Sequence, residues 1–143
     1  MKMVLQLLQN IFQGIKENPK RVVFAEGEEE DMIRAAVIFY NNKMGTPILI
    51  GREEIIKSKM KEIGLDFFDQ MEIHNTRNKN THERYADHIY NRLQRKGFLR
   101  EDCLDLLIKE RNVFGACMVS LKEADAMICG LTRSYAVTLE SVE

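Results

Sequence analysis

The residues best suited to chemistry in this 143-residue chain stand where short apolar runs stop. Gly130-Leu131-Thr132-Arg133-Ser134-Tyr135 follows the run Ala126-Met127-Ile128-Cys129. It combines a permissive glycine, hydroxyls, a guanidinium and backbone N–H groups entering a helix, a set that could cradle an anion or a phosphate. The same residues would also make a plain helix start, with Thr132 or Ser134 as the cap and Arg133 in solvent, and spacing alone favours that reading. A second strand end, Glu26-Gly27, follows the run Arg21–Ala25. A third candidate is the basic cluster Arg92, Arg95 and Lys96 before Gly97. Such a cluster can hold phosphate, but more often it is a solvated helix C-terminus complementing the dipole. No side chain earns a catalytic role from spacing. His74, His82 and His88 have no metal-ligand spacing, so no metal is expected. Dinucleotide and P-loop glycine motifs are absent, as is a nucleophile turn.

These candidates need a scaffold that brings strand ends and helix starts together. After an N-terminal amphipathic helix over residues 1–17, the pattern predicts a strand at Arg21–Ala25, a helix over Glu28–Lys43 and a strand at Ile48–Ile50. A helix over Glu53–Ile63 and a weaker strand at Met71–Ile73 follow. Asn80 and Glu83 signal a helix running to Gly97, and Arg100–Arg111 another. Val113–Leu121 is apolar nearly all round, and periodicity leaves helix and strand open. Ala126–Cys129 reads as a last, central strand before a helix-like tail. Strands alternating with helices call for a three-layer α/β/α domain with a mainly parallel sheet. Ligands of such sheets gather at the carboxyl ends of the strands.

Composition narrows the partners. With 21 Lys plus Arg against 22 Asp plus Glu, the net charge of −1 argues against nucleic acid and against an anionic membrane surface. No run approaches the ~20 apolar residues of a membrane span. In the first 17 residues Val4, Leu5, Leu8, Ile11, Phe12 and Ile15 fall at helical spacing among Gln and Asn, which predicts a surface-packed helix and not a targeting segment. Cys103, Cys117 and Cys129 lie among apolar neighbours and read as small buried hydrophobes in a reducing compartment. The expectation is a cytoplasmic protein directed at small molecules.

Lys20-Arg21-Val22-Val23-Phe24-Ala25-Glu26-Gly27-Glu28 resembles the opening of phosphate acetyl/butyryltransferase domains. The strings PILIGR (Pro47–Arg52), RYAD (Arg84–Asp87), QRKG (Gln94–Gly97), ERNVFGACMV (Glu110–Val119) and EADAMICG (Glu123–Gly130) resemble the same family in order. The "FAEGE" and "EADA-ICG" versions look most like the domain on the C-terminal side of bacterial NADP-dependent malic enzymes. The resemblance implies the first lobe, residues 18–143, of a two-lobe isocitrate/isopropylmalate dehydrogenase-like fold, with acyl phosphate and coenzyme A bound between lobes. The second lobe, with the family's Ser-Arg pair and Asp, would lie beyond this chain.

Two departures from the family pattern stand out. Where active phosphotransacetylases resemble Y-x-x-R-x-x-K-G, Tyr90–Gly97 has Leu93 at the arginine. Where the family has T-[LI]-R-P, Thr138-Leu139-Glu140-Ser141 places Glu140 at the arginine of the coenzyme A site, with Thr138 retained beside the cradle. A guanidinium that would pair with phosphate gives way to an apolar group and to a carboxylate. The resemblance therefore implies first a regulatory domain that responds to acetyl-CoA or a related metabolite. True acetyl transfer between coenzyme A and acetyl phosphate is the second reading, with Arg92, Arg95 or Arg133 taking over. The third is an assembly lobe in a homo-oligomer, with the apolar helix around Leu7, Leu8 and Phe12 as the interface. No cofactor is implied within the chain itself; acetyl-CoA or acetyl phosphate would be the ligand.

Overall fold

A computed structural model describes residues 1–66 and 68–132. After helix α1 (Lys2–Glu17) come strand β1 (Lys20–Phe24), helix α2 (Glu30–Asn41), strand β2 (Gly45–Ile50) and helix α3 (Glu53–Glu62). Strand β3 (Glu72–His74) leads to helices α4 (Lys79–Leu93), α5 (Arg100–Lys109) and α6 (Arg111–Ser120), and strand β4 (Ala126–Ile128) closes the order. The four strands form one parallel sheet in the order β3-β2-β1-β4.

Alternation along β1 and β2 divides the core. Val22, Phe24 and Leu49 face α2 and α3, meeting Met32, Ile33, Val37, Ile56 and Met60. Val23, Ile48 and Ile50 face the other way, toward Tyr85, Leu107, Phe114 and Met118 of α4, α5 and α6. Both faces of the two inner strands are thus covered, which is why they read as continuous apolar runs. The result is the expected three-layer α/β/α domain.

Several boundaries differ from the sequence reading, each for a local reason. Helix α2 starts at Glu30, because Glu28 turns inward to pair with arginines. Val113–Ser120 is helical, within α6, and Leu121 caps it. The helix over Arg100–Arg111 ends at Lys109, and Glu110, with extended backbone angles (φ −112°, ψ 101°), divides it from α6, which starts at Arg111. Helix α4 begins two residues earlier than expected, with the Asn78 side chain accepting the Asn80 N–H as the cap. Gly97 ends it as foreseen, in a left-handed conformation (φ 89°) after a 3-10 turn.

Two expectations about packing are corrected. Strand β4 is not central: among the described residues it pairs only with β1, forms the sheet edge, and leaves Ala126 and Ile128 exposed. Nor is α1 packed onto the surface. None of its residues is buried; apart from the half-buried Ile15, its large apolar side chains range from 43% exposed at Phe12 to 83% at Met3. The amphipathic pattern is real, but no described element lies over the stripe.

Candidate functional site

Strand β1 ends at Phe24, and after Ala25 the next three residues, Glu26-Gly27-Glu28, spread two carboxylates along the carboxyl edge of the sheet. Gly27 makes this possible. A Cβ there would lie 2.8 Å from the backbone oxygen of Ile50 and 2.9 Å from its nitrogen. Its own N–H donates to Ile50 O at 3.0 Å, holding the ends of β1 and β2 together. Both flanking carboxylates are buried, and each gathers a different neighbour.

Glu26, only 7% exposed, accepts the N–H of Leu131 at 2.7 Å on one oxygen. Its other oxygen accepts the Thr132 N–H at 3.3 Å and the Thr132 hydroxyl at 2.9 Å. The turn at Gly130 has a left-handed φ of 97° and aims these donors back at β1. The Ala25 N–H donates to Ile128 O at 3.0 Å just below, so the clamp continues the β1–β4 ladder. The three described donors to Glu26 are neutral.

Glu28 is held by cations instead. Its Oε1 accepts the Arg52 backbone N–H at 2.8 Å, Arg52 Nε at 3.0 Å and Arg111 Nη2 at 2.8 Å, while Oε2 accepts Arg52 Nη2 at 3.1 Å. Arg52 follows Gly51 at the end of β2, and Arg111 opens α6. One carboxylate thereby joins three elements at the mouth of the sheet. Burial alone would raise its pKa; the hydrogen bonds from Arg52 and Arg111 outweigh that and bring it down to about 2. The guanidinium groups of both arginines keep part of their surface in solvent, and the triad carries a net positive charge.

Against this frame the sequence candidates separate. Gly130 and Thr132 do sit at a strand end with donors in place, but the anion those donors hold is Glu26. Arg133, Ser134, Tyr135 and Thr138 lie outside the described residues, as does Glu140. Arg92, Arg95 and Lys96 are exposed and far along α4 and its terminal turn. They lie beyond His88, whose Nε2 meets Ser120 Oγ at 2.8 Å where α6 descends to the amino end of β4. The basic cluster and the Gly130 turn therefore occupy opposite ends of the domain. Leu93 packs against the α4–α6 core. Sequence reading missed Glu28, Arg52 and Arg111 as partners; the signal available was two carboxylates flanking a glycine at a strand end.

Among the described residues no group of His, Cys, Asp and Glu is placed to hold a metal ion. Cys103 and Cys117 are buried, Cys129 is half-buried, and burial pushes the Cys117 thiol up to about 12, which keeps it unreactive. Tyr85 is raised by burial and by its hydrogen bond to Glu123, which also pairs with Arg84. A cleft of about 570 Å³ lined by Lys16, Tyr40, Lys43 and Thr46 opens at the amino ends of β1 and β2, away from the carboxylates. No described helix is long and apolar enough to cross a membrane.

Comparison with known proteins agrees with this geometry. An NADP-dependent malic enzyme of Rhizobium meliloti is 42% identical over 140 residues, covering 97% of this chain and 18% of that protein. A probable NADP-dependent malic enzyme of Rickettsia prowazekii is 45% identical over 124 residues, 86% of this chain and 16% of its own length. A phosphate acetyltransferase of Acetivibrio thermocellus is 30% identical over 135 residues, 94% of this chain and 40% of its own. The fold matches a phosphotransacetylase from Streptococcus pyogenes with a TM-score of 0.80 at 23% identity, over 93% of this chain and 41% of that one. The chain thus spans less than a fifth of the malic enzymes it resembles. The family model for phosphate acetyl/butaryl transferase matches residues 6–143, and with the shared fold this establishes that the chain belongs to that family.

Proposed function

We propose that this chain is the first lobe of a regulatory, phosphotransacetylase-like domain through which an NADP-dependent malic enzyme responds to acetyl-CoA. The observation that carries the reading is the internal pairing of charge at the sheet mouth. Acyl transfer through a phosphate needs guanidinium and N–H donors aimed at the reacting oxygens. Here the Arg52 and Arg111 side chains engage Glu28, and the turn after β4 directs its described donors at Glu26. Leu93 stands in the core at the position where the family pattern has an arginine. A mouth whose guanidinium groups are already engaged by a carboxylate of the fold suits reversible binding of a nucleotide thioester better than turnover. The names of the relatives, NADP-dependent malic enzymes, support a malic enzyme as the parent protein, with oxidative decarboxylation of malate to pyruvate as its proposed activity.

The test is to titrate acetyl-CoA into the complete polypeptide during malate turnover, and to assay the same preparation for acetyl phosphate formation from acetyl-CoA and phosphate. The expected result is a saturable change in malate decarboxylation with no acetyl phosphate formed. Acetyl phosphate formation would instead establish the acyltransferase, the reading that the Acetivibrio relative's name supports. The exposed stripe of α1 supports an additional assembly role in a cytoplasmic homo-oligomer.

A further inference from the structure

The cleft at the amino ends of β1 and β2 lies at the opposite edge of the sheet from the paired carboxylates, and its wall is of different chemistry. Helices α1 and α2 both end there, and each returns directly into its strand. Gly45 lets the two returns touch: a Cβ on it would lie 1.8 Å from the Lys20 backbone oxygen. Across the same junction the Lys20 N–H donates to Met44 O at 3.2 Å. Lys16 and Pro19 from one return thereby join Tyr40, Asn41, Lys43 and Thr46 from the other, around about 570 Å³. This lining holds two ammonium groups and no carboxylate. Among the described residues neither ammonium group enters an ion pair, and Glu17, beside Lys16, is engaged by Gln13 Nε2 at 3.0 Å.

Lys43 is also costly where it stands. It takes the left-handed position after α2 (φ 56°), with its N–H donating to Tyr40 O and the Met44 N–H to Phe39 O. Glycine or asparagine fits such a helix stop with less strain. Each lysine complements the negative end of a helix, but that role calls for neither a left-handed residue nor a shared cleft. From this we infer that the cleft is a ligand site separate from the sheet mouth. Its ligand class is an organic phosphate with a flat ring, of nucleoside monophosphate size. The two ammonium groups supply charge for the phosphoryl oxygens, and the Asn41 amide and Thr46 hydroxyl add neutral donors. The exposed Tyr40 ring and Pro19 give the apolar wall on which a flat ring stacks. A volume of about 570 Å³ is in the range of small-molecule sites and far exceeds a phosphate ion.

The inference does not rest on the proposed function, because the site lies at the other end of the strands. Its test uses the complete polypeptide and adenosine 5′-monophosphate as the probe, followed by calorimetry at low salt, with adenosine and ribose 5-phosphate as controls. The monophosphate should bind more tightly than either control, which lack the charge and the flat ring in turn. Lys16→Gln and Lys43→Gly should each weaken it by about fivefold, the scale of one partly solvated charged hydrogen bond. Lys43→Gly should at the same time keep or raise thermal stability, since glycine suits the left-handed position; a merely structural lysine would leave binding untouched. Binding elsewhere in the polypeptide is the same in parent and variants and drops out of the difference. Isotherms of both variants that superimpose on the parent's, or a monophosphate that binds no tighter than its controls, overturn the inference. Should Lys43→Gly fail to fold, Lys16→Gln on the exposed helix decides the matter. A polypeptide that ignores acetyl-CoA but loses monophosphate binding in these variants would sink the regulatory reading and leave this one standing.

Discussion

At Glu28, two guanidinium groups and a backbone N–H meet one buried carboxylate, and this makes the residue an acid-sensitive tie between β1, β2 and α6. Its pKa falls from the ordinary 4.5 to about 2 in the fold. A depressed carboxyl contributes its full stability above the unfolded value and loses it as pH falls toward the folded one. Its contribution should therefore be complete above 4.5 and gone below about 2. Glu28→Gln is expected to lower stability at neutral pH by about 1–2 kcal/mol, since the partnered arginines are partly solvated. Urea midpoints followed from about pH 6 to about pH 3 should then decline less steeply in the variant than in the parent. Equal slopes would show that Glu28 is not the titrating tie.

The elements turn on close approaches as much as on apolar patterning. Gly27 lets the ends of β1 and β2 come within hydrogen-bond reach, so that Glu26 and Glu28 can point to different neighbours. Gly27→Ala must push its Cβ against the Ile50 backbone, which has no flexible end to move. The expected cost is about 1–3 kcal/mol of stability. Because both carboxylate clamps sit beside the displaced strand, ligand affinity at the mouth should fall with it. Wild-type thermal stability in that variant would contradict the crowding.

The strands were legible from short apolar runs, because burial on both faces leaves a plain signature in β1 and β2. The end of α5 was not, since Glu110 breaks the helix with no glycine or proline to announce it. Nor could spacing show that Thr132 and Glu26, 106 residues apart, would satisfy each other. A turn's donors can be read from sequence, but the acceptor they find is set by strand order.

Across the whole molecule, surface left over is as telling as surface buried. Helix α1 displays Val4, Leu5, Leu8, Ile11 and Phe12 to solvent, a stripe of the size that ordinarily marks a contact. If it mediates assembly, Leu8→Glu in the complete polypeptide should raise the subunit dissociation constant about tenfold or more, the cost of placing a charge where a leucine was buried. Sedimentation velocity would register the shift to smaller species. An unchanged distribution would remove α1 from the interface.

The pairing of β1 with β4 joins segments about a hundred residues apart in the chain. Arg21 N–H donates to Asp125 Oδ2, and Asp125 N–H returns a bond to Arg21 O, each at 2.8 Å across 104 residues. During synthesis β1 leaves the ribosome before its β4 neighbour is made. At about 5–20 residues per second the intervening chain takes roughly 5–20 s to appear. For that interval β1 can pair with β2 under α2 and α3, while Val23, Ile48 and Ile50 wait for α6 to cover them. The nascent lobe thus carries a half-finished sheet with an open strand edge, a form that invites chaperone binding before the domain is whole.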